Sequence, residues 1–130
     1  MLSLFSVLVG IDLFIKAAVF QSGIPFLRNY GFAFGLGENT FFSSWIFHLV
    51  LTLVALFYLS SKPRRHGRIS FFSLVFLAGA FANLVTKIWL GYVLDIGFLN
   101  LADVYLNIGL AGIIYEESTR FKDRPSHLGG

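Results

Sequence analysis

The chain reads as an all-α membrane protein, a four-helix transmembrane bundle carrying a small extracytoplasmic β-like flap. Three observations lead there. First, of 130 residues 56% are hydrophobic and only 13% charged, with 16 Phe among an 18% aromatic content. A soluble domain of this size cannot hide so much apolar surface. Second, four stretches, about 2–20, 41–60, 69–90 and 100–115, approach the roughly 20 apolar residues that cross a bilayer core. Third, the few polar residues inside these stretches recur at helical spacing, the pattern of faces turned inward from lipid.

The first span, 2–20, lacks the basic leader of a secretory signal and carries Asp12 and Lys16 within its apolar run, so it is expected to be retained. These two residues are spaced i, i+4 and can pair on one helical face, as a neutralised structural pair or as part of a site. The segment 21–40 follows. Its string RNYGFAFGLGENT alternates aromatic and small residues with Gly31, Gly35 and Gly37 as turn points, and predicts short strands or an extended flap. Glu38, Asn39 and Thr40 then resemble a helix start leading into the second span, 41–60.

The loop 61–68 holds Lys62, Arg64, Arg65 and Arg68 beside Pro63 and Gly67, and the tail 116–130 holds Arg120, Lys122 and Arg124. Cation bias in short connections sets orientation, so both are expected in the cytoplasm with the flap outside, N-in and C-in. The basic loop is explained by topology alone. In the third span, 69–90, the small residues Ala78, Gly79, Ala80 and Ala82 allow a close helix approach, and Gly109 and Gly112 do the same in the fourth. Asn83 and Thr86 are i, i+3 with Lys87 next, while Asn100, Asp103 and Asn107 recur at 0, 3 and 7. Two such stripes should face each other within the outer half of the membrane, because neither can face lipid. A site belongs there.

Several chemistries are set aside. The chain has no Cys, hence no disulfide, thiolate nucleophile or lipidated Cys. His48, His66 and His127 fall in a span, the basic loop and the tail, so no metal centre is expected. The Gly-rich segment lacks the GK[ST] of a phosphate loop, which rules out that kind of nucleotide binding. Repeats and broken helices of a transporter are not evident.

The residues in order are Asp12-x-x-x-Lys16, Asn29-x-Gly31-x-Ala33-Phe34-Gly35, Gly79-Ala80-x-x-Asn83-Leu84, Gly91-Tyr92-Val93-x-Asp95 and Asn100-Leu101-Ala102-Asp103. This series resembles the lipoprotein signal peptidase (signal peptidase II) family over nearly the whole chain. The resemblance implies an intramembrane aspartyl protease of the bacterial cytoplasmic (inner) membrane. Such a hydrolase cuts a diacylglyceryl-modified prolipoprotein just before its lipidated Cys, with two aspartates on the third and fourth spans. It implies no cofactor, a signal peptide and membrane lipid as partners, no nucleic acid, and a monomer. Asp103 takes the place of one catalytic aspartate. Asp12, Asn29, Gly31, Asn83, Lys87, Asn100 and Ala102 take the places of substrate-binding residues.

The resemblance places the second aspartate three residues after Asn83, within Asn-x-x-Asp-Arg, where this chain reads Asn83-Leu84-Val85-Thr86-Lys87. An aspartic dyad works by two close carboxylates sharing one proton. A threonine hydroxyl does not ionise near neutral pH. Asp95 and Asp12 are family features beside the dyad, and Glu116 and Glu117 are expected on the cytoplasmic side, so no relocated carboxylate is evident. Lys87 keeps a charge but loses the planar fork of the family's arginine. Two readings follow: a weakly active signal peptidase II, or a non-hydrolytic relative that binds lipoprotein signal peptides or other lipidated helices.

Overall fold

The computed structural model describes residues 2–31, 45–61, 70–97 and 100–122. In order they form α1 (Leu2–Ser22), β1 (Leu27–Asn29), α2 (Trp45–Ser61), α3 (Phe71–Leu90), β2 (Val93–Asp95) and α4 (Leu101–Lys122). Helix α3 is the central element, touching α1, α2 and α4. Its buried set includes Ala78, Ala80 and Ala82, each with no exposed surface, and these side chains let its neighbours approach closely.

The seam between α3 and α4 is set by glycine. A Cβ on Gly79 would lie 2.5 Å from the Ala102 carbonyl oxygen. Across the seam, Gly109 lies under Phe76 and Gly112 under the Phe72 ring, so two glycines one turn apart on α4 receive two phenylalanines one turn apart on α3. Ser70 caps α3, accepting from the Ser73 N–H at 3.4 Å while its hydroxyl donates to the Glu116 carboxylate at 2.6 Å. Gly91, at φ +77°, ends α3 in the left-handed region, its N–H closing on the Lys87 carbonyl at 2.9 Å.

Polarity is distributed inside out. Asp12 has no exposed surface, whereas Phe14, two residues on, is 74% exposed, and Phe57, Trp89 and Ile114 also face outward. Water would penalise that arrangement and lipid favours it.

Boundaries shift from those expected. Helix α1 continues through Ser22, trimming the flap, and α3 starts at Phe71 rather than 69. Helix α4 runs to Lys122, past the expected span end at 115. The Glu116 and Glu117 side chains are held by Ser70 and Tyr58, and Glu117 pairs with Arg120 at 3.5 Å, so the last turns stay wound. Residues 41–44 of the expected second span, the flap residues 32–40 with Ala33, Phe34, Gly35 and Gly37, and the cations Lys62, Arg64, Arg65 and Arg68 lie outside the described residues, as do His66, Arg124 and His127.

The strand in the flap root finds a partner that its local sequence does not reveal. β1 pairs antiparallel with β2, Leu27 opposite Asp95 and Asn29 opposite Val93. This ribbon crosses the end of the bundle where α1 and α3 finish and α4 begins. Phe26, Tyr30 and the guanidinium of Arg28 gather on Tyr92 there, with Arg28 5.3 Å above the ring.

Candidate functional site

At that same end the buried polar residues of three helices and the ribbon join into one hydrogen-bonded chain. It begins on α1, where Lys16 Nζ lies 2.7 Å from Asp12 Oδ2, with side chains 4% and 0% exposed. An ammonium has three donors, and Lys16 also reaches Asn83 Oδ1 at 3.0 Å and Thr86 Oγ1 at 3.3 Å on α3. The other Asp12 oxygen accepts from the backbone N–H of Ala102 at 2.8 Å. One ion pair therefore fixes both the polar face of α3 and the head of α4.

Asn83 carries the chain onward, its amide donating to Asp103 Oδ1 at 2.9 Å. Asn100, just before α4, accepts from the Asp103 N–H at 3.0 Å through its side-chain oxygen, as an N-cap should. Its amide nitrogen lies 3.0 Å from Asp103 Oδ2 and 2.6 Å from Asp95 Oδ1. Asn29 on β1 donates to Asp95 Oδ2 at 3.0 Å. Both oxygens of Asp103 and both of Asp95 thus accept from amides, which orients them without covering them equally. Asp95 is buried; Asp103 is half-buried, the accessible carboxylate of the network.

The two polar stripes do meet, through Asn83 and Asp103. Thr86 is brought to the network by Lys16, and its own hydroxyl donates to the Ala82 carbonyl at 2.8 Å. Asn107 departs from expectation. It is exposed, and its amide turns back to the Asp103 carbonyl at 2.8 Å, because the helix face carrying Asp103 already lies at the rim of the α3/α4 seam. Lys87 donates to the carbonyls of Tyr30 and, at 2.6 Å, Gly31, tying α3 to the flap root. Ala102 has no exposed surface and contributes a backbone donor to Asp12 and small size beneath Gly79.

Asp95 and His48 stand out in the structure in ways that their places in the sequence do not disclose. Asp95 is the joint between ribbon and α4, which requires knowing that β1 and β2 pair. His48 on α2 is 4% exposed, with no hydrogen-bond partner for Nδ1 among the described residues. Its i, i+4 spacing with Thr52 in an otherwise apolar run was its one signal.

Apolar surface outside and a carboxylate–amide network inside define an integral-membrane helical protein with a polar site at one end of its bundle. Comparison with known proteins specifies the family. The family described as signal peptidase (SPase) II matches residues 4–119, and the chain belongs to it. Lipoprotein signal peptidase of Streptococcus agalactiae is 33% identical over 102 residues, covering 67% of this chain and 62% of that protein. The Clostridioides difficile protein of the same description is 32% identical over 98 residues, 66% and 63% of the two chains. That of Escherichia coli O157:H7 is 29% identical over 109 residues, 72% and 65%. The matched region therefore spans under two thirds of these relatives' length. A bacterial membrane enzyme solved by the in meso method has the same fold, with TM-score 0.71, 21% identity, and coverage of 98% of this chain and 93% of that one.

Proposed function

We propose that this chain engages lipoprotein signal peptides within the membrane, with Asp103 as the carboxylate that meets the scissile region, and without two-aspartate hydrolysis. In this reading the chain is a single integral membrane domain of the bacterial inner membrane. It acts as a monomer, N-in and C-in, with the ribbon and network outside the cytoplasm. Asp12, Asn83 and Asn100 hold the site, and Asn29, Gly31 and Lys87 shape the flap root against the peptide.

The observation that carries the reading is how residue 86 is held. The Thr86 hydroxyl donates to Ala82 and accepts from Lys16. Such a group neither shares a proton with Asp103 nor abstracts one from water. Loss of an acid–base partner costs about 10²–10⁴-fold in rate. Recognition is retained, because Asp103 stays oriented by Asn83 and Asn100.

The test uses a fluorescent diacylglyceryl-modified prolipoprotein and the full chain in phospholipid nanodiscs. Binding is expected, with cleavage at least about 10²-fold slower than that of Thr86→Asp. Asp103→Asn in the Thr86→Asp background should abolish the gain. Cleavage by the unaltered chain as fast as by Thr86→Asp would overturn the proposal, and so would a failure to bind.

A further inference from the structure

Asn107 is the polar side chain that the network leaves over. It stands about 9 Å from the head of α4, at roughly 1.5 Å per residue, in a helix long enough to cross a hydrocarbon core of about 30 Å. Ala102, Tyr105, Gly109 and Gly112 are the buried side of α4, whereas Asn107 is exposed. Its amide nitrogen donates to the Asp103 carbonyl at 2.8 Å, and its side-chain oxygen accepts no hydrogen bond among the described residues. In lipid an unmet polar group costs several kcal/mol, so this face calls for an occupant with a donor to offer. Asp103, Asn107, Leu110 and Ile114 follow one another at i, i+4, i+7 and i+11, a single helical stripe. Leu110 and Ile114 are 48% and 60% exposed. The stripe therefore starts at the accessible carboxylate, passes the amide oxygen one turn on, and continues as bare hydrocarbon along the span.

We propose that this stripe is the track on which a lipoprotein signal peptide lies, with the Asn107 side-chain oxygen accepting a hydrogen bond from a peptide backbone N–H about two residues before the cut. This rests on the reading above for its substrate and orientation. A peptide bond presented to Asp103 is unwound from helix, so the backbone groups beside it have lost their intrahelical partners. In lipid those groups must be met by protein. One turn of α4 separates Asp103 from Asn107, about 6 Å, which is the length of roughly two residues of extended chain. A signal peptide inserted N-in reaches Asp103 from the cytoplasmic side, so the residue level with Asn107 precedes the cut. Farther along, Leu110 and Ile114 pack against the apolar helix of the peptide. The carboxylate at the head of the stripe decides its occupant. A second copy of this chain would meet the amide but would also cover Asp103, whereas a peptide substrate has to touch both.

The full chain and its Asn107→Leu variant would be titrated in phospholipid nanodiscs with the fluorescent diacylglyceryl-modified prolipoprotein, and their thermal unfolding compared. A hydrogen bond between helices in a membrane is worth about 3–20-fold in an equilibrium constant, so Asn107→Leu should raise Kd by about that factor. Tm should not fall, because leucine suits a lipid-facing position better than an amide does. Three synthetic diacylglyceryl-modified signal peptides, N-methylated singly at the first, second or third peptide nitrogen before the cut, locate the contact. One of them should bind the unaltered chain about 3–20-fold less tightly and be indifferent to Asn107→Leu. If all three remain as sensitive to Asn107→Leu as the unmethylated peptide, the proposal is overturned. A loss of binding accompanied by a fall in Tm would make the bond from Asn107 to the Asp103 carbonyl structural and overturn it too. Conversion of a dimer to a monomer by Asn107→Leu, with peptide binding unchanged, would give the stripe to a second copy of the chain. Unchanged Kd in a chain that binds the prolipoprotein would overturn this inference and leave the binding reading intact, whereas absence of binding by the unaltered chain would overturn both.

Discussion

Replacing Lys16 by methionine tests whether the ion pair on α1 is the keystone of the site. The substitution keeps the length of the side chain and removes an ammonium that touches Asp12, Asn83 and Thr86 at 2.7, 3.0 and 3.3 Å. Asp12, with no exposed surface, would then be a buried carboxylate whose remaining bond is the Ala102 N–H. Removing one member of a buried pair costs about 3–5 kcal/mol, most of it the stranded charge. For a chain of this size roughly 3–5 °C accompanies each kcal/mol, so Tm should fall by about 10–20 °C. Trp45 and Trp89 provide fluorescence for thermal unfolding in detergent, with circular dichroism as a second probe. Asp12→Asn keeps an oxygen for Ala102 while removing the stranded charge, so the double variant should regain at least about 2 kcal/mol over Lys16→Met alone. A fall under about 3 °C, or a double variant no more stable than the single, would refute the keystone role.

Other outcomes follow from the same geometry. Gly79→Val places a Cβ 2.5 Å from the Ala102 carbonyl, a backbone atom that cannot swing aside, and should destabilise by about 2–3 kcal/mol in the same unfolding assay. Asn100→Ala removes the cap of α4 and an amide partner of both Asp95 and Asp103. It should cost about 1–3 kcal/mol and weaken signal-peptide binding as Asp103 loses its orientation, measured by unfolding and by fluorescence anisotropy. Gly31→Val should weaken signal-peptide binding with little effect on membrane insertion; unchanged binding would remove the flap root from the substrate site. A cysteine placed at Gly67 should react with impermeant maleimide only from the cytoplasmic side, as the cation bias of its loop requires.

What the sequence disclosed and what it withheld divide along the distance over which the physics acts. Asp12 and Lys16 are one helical turn apart, so their pairing is a local consequence of spacing and is found at 2.7 Å. Gly79, Gly109 and Gly112 announced a tight seam because small residues in a membrane helix have little other use, and Phe72 and Phe76 fill the space they leave. Asn83 and Asp103 meet because lipid leaves a buried stripe nowhere else to turn. By contrast, β1 and β2 are strands of three residues each, brought together across the length of two helices, and nothing within either reveals its partner. The end of α4 was likewise hidden, since its last turns depend on Ser70 and Tyr58 from other helices.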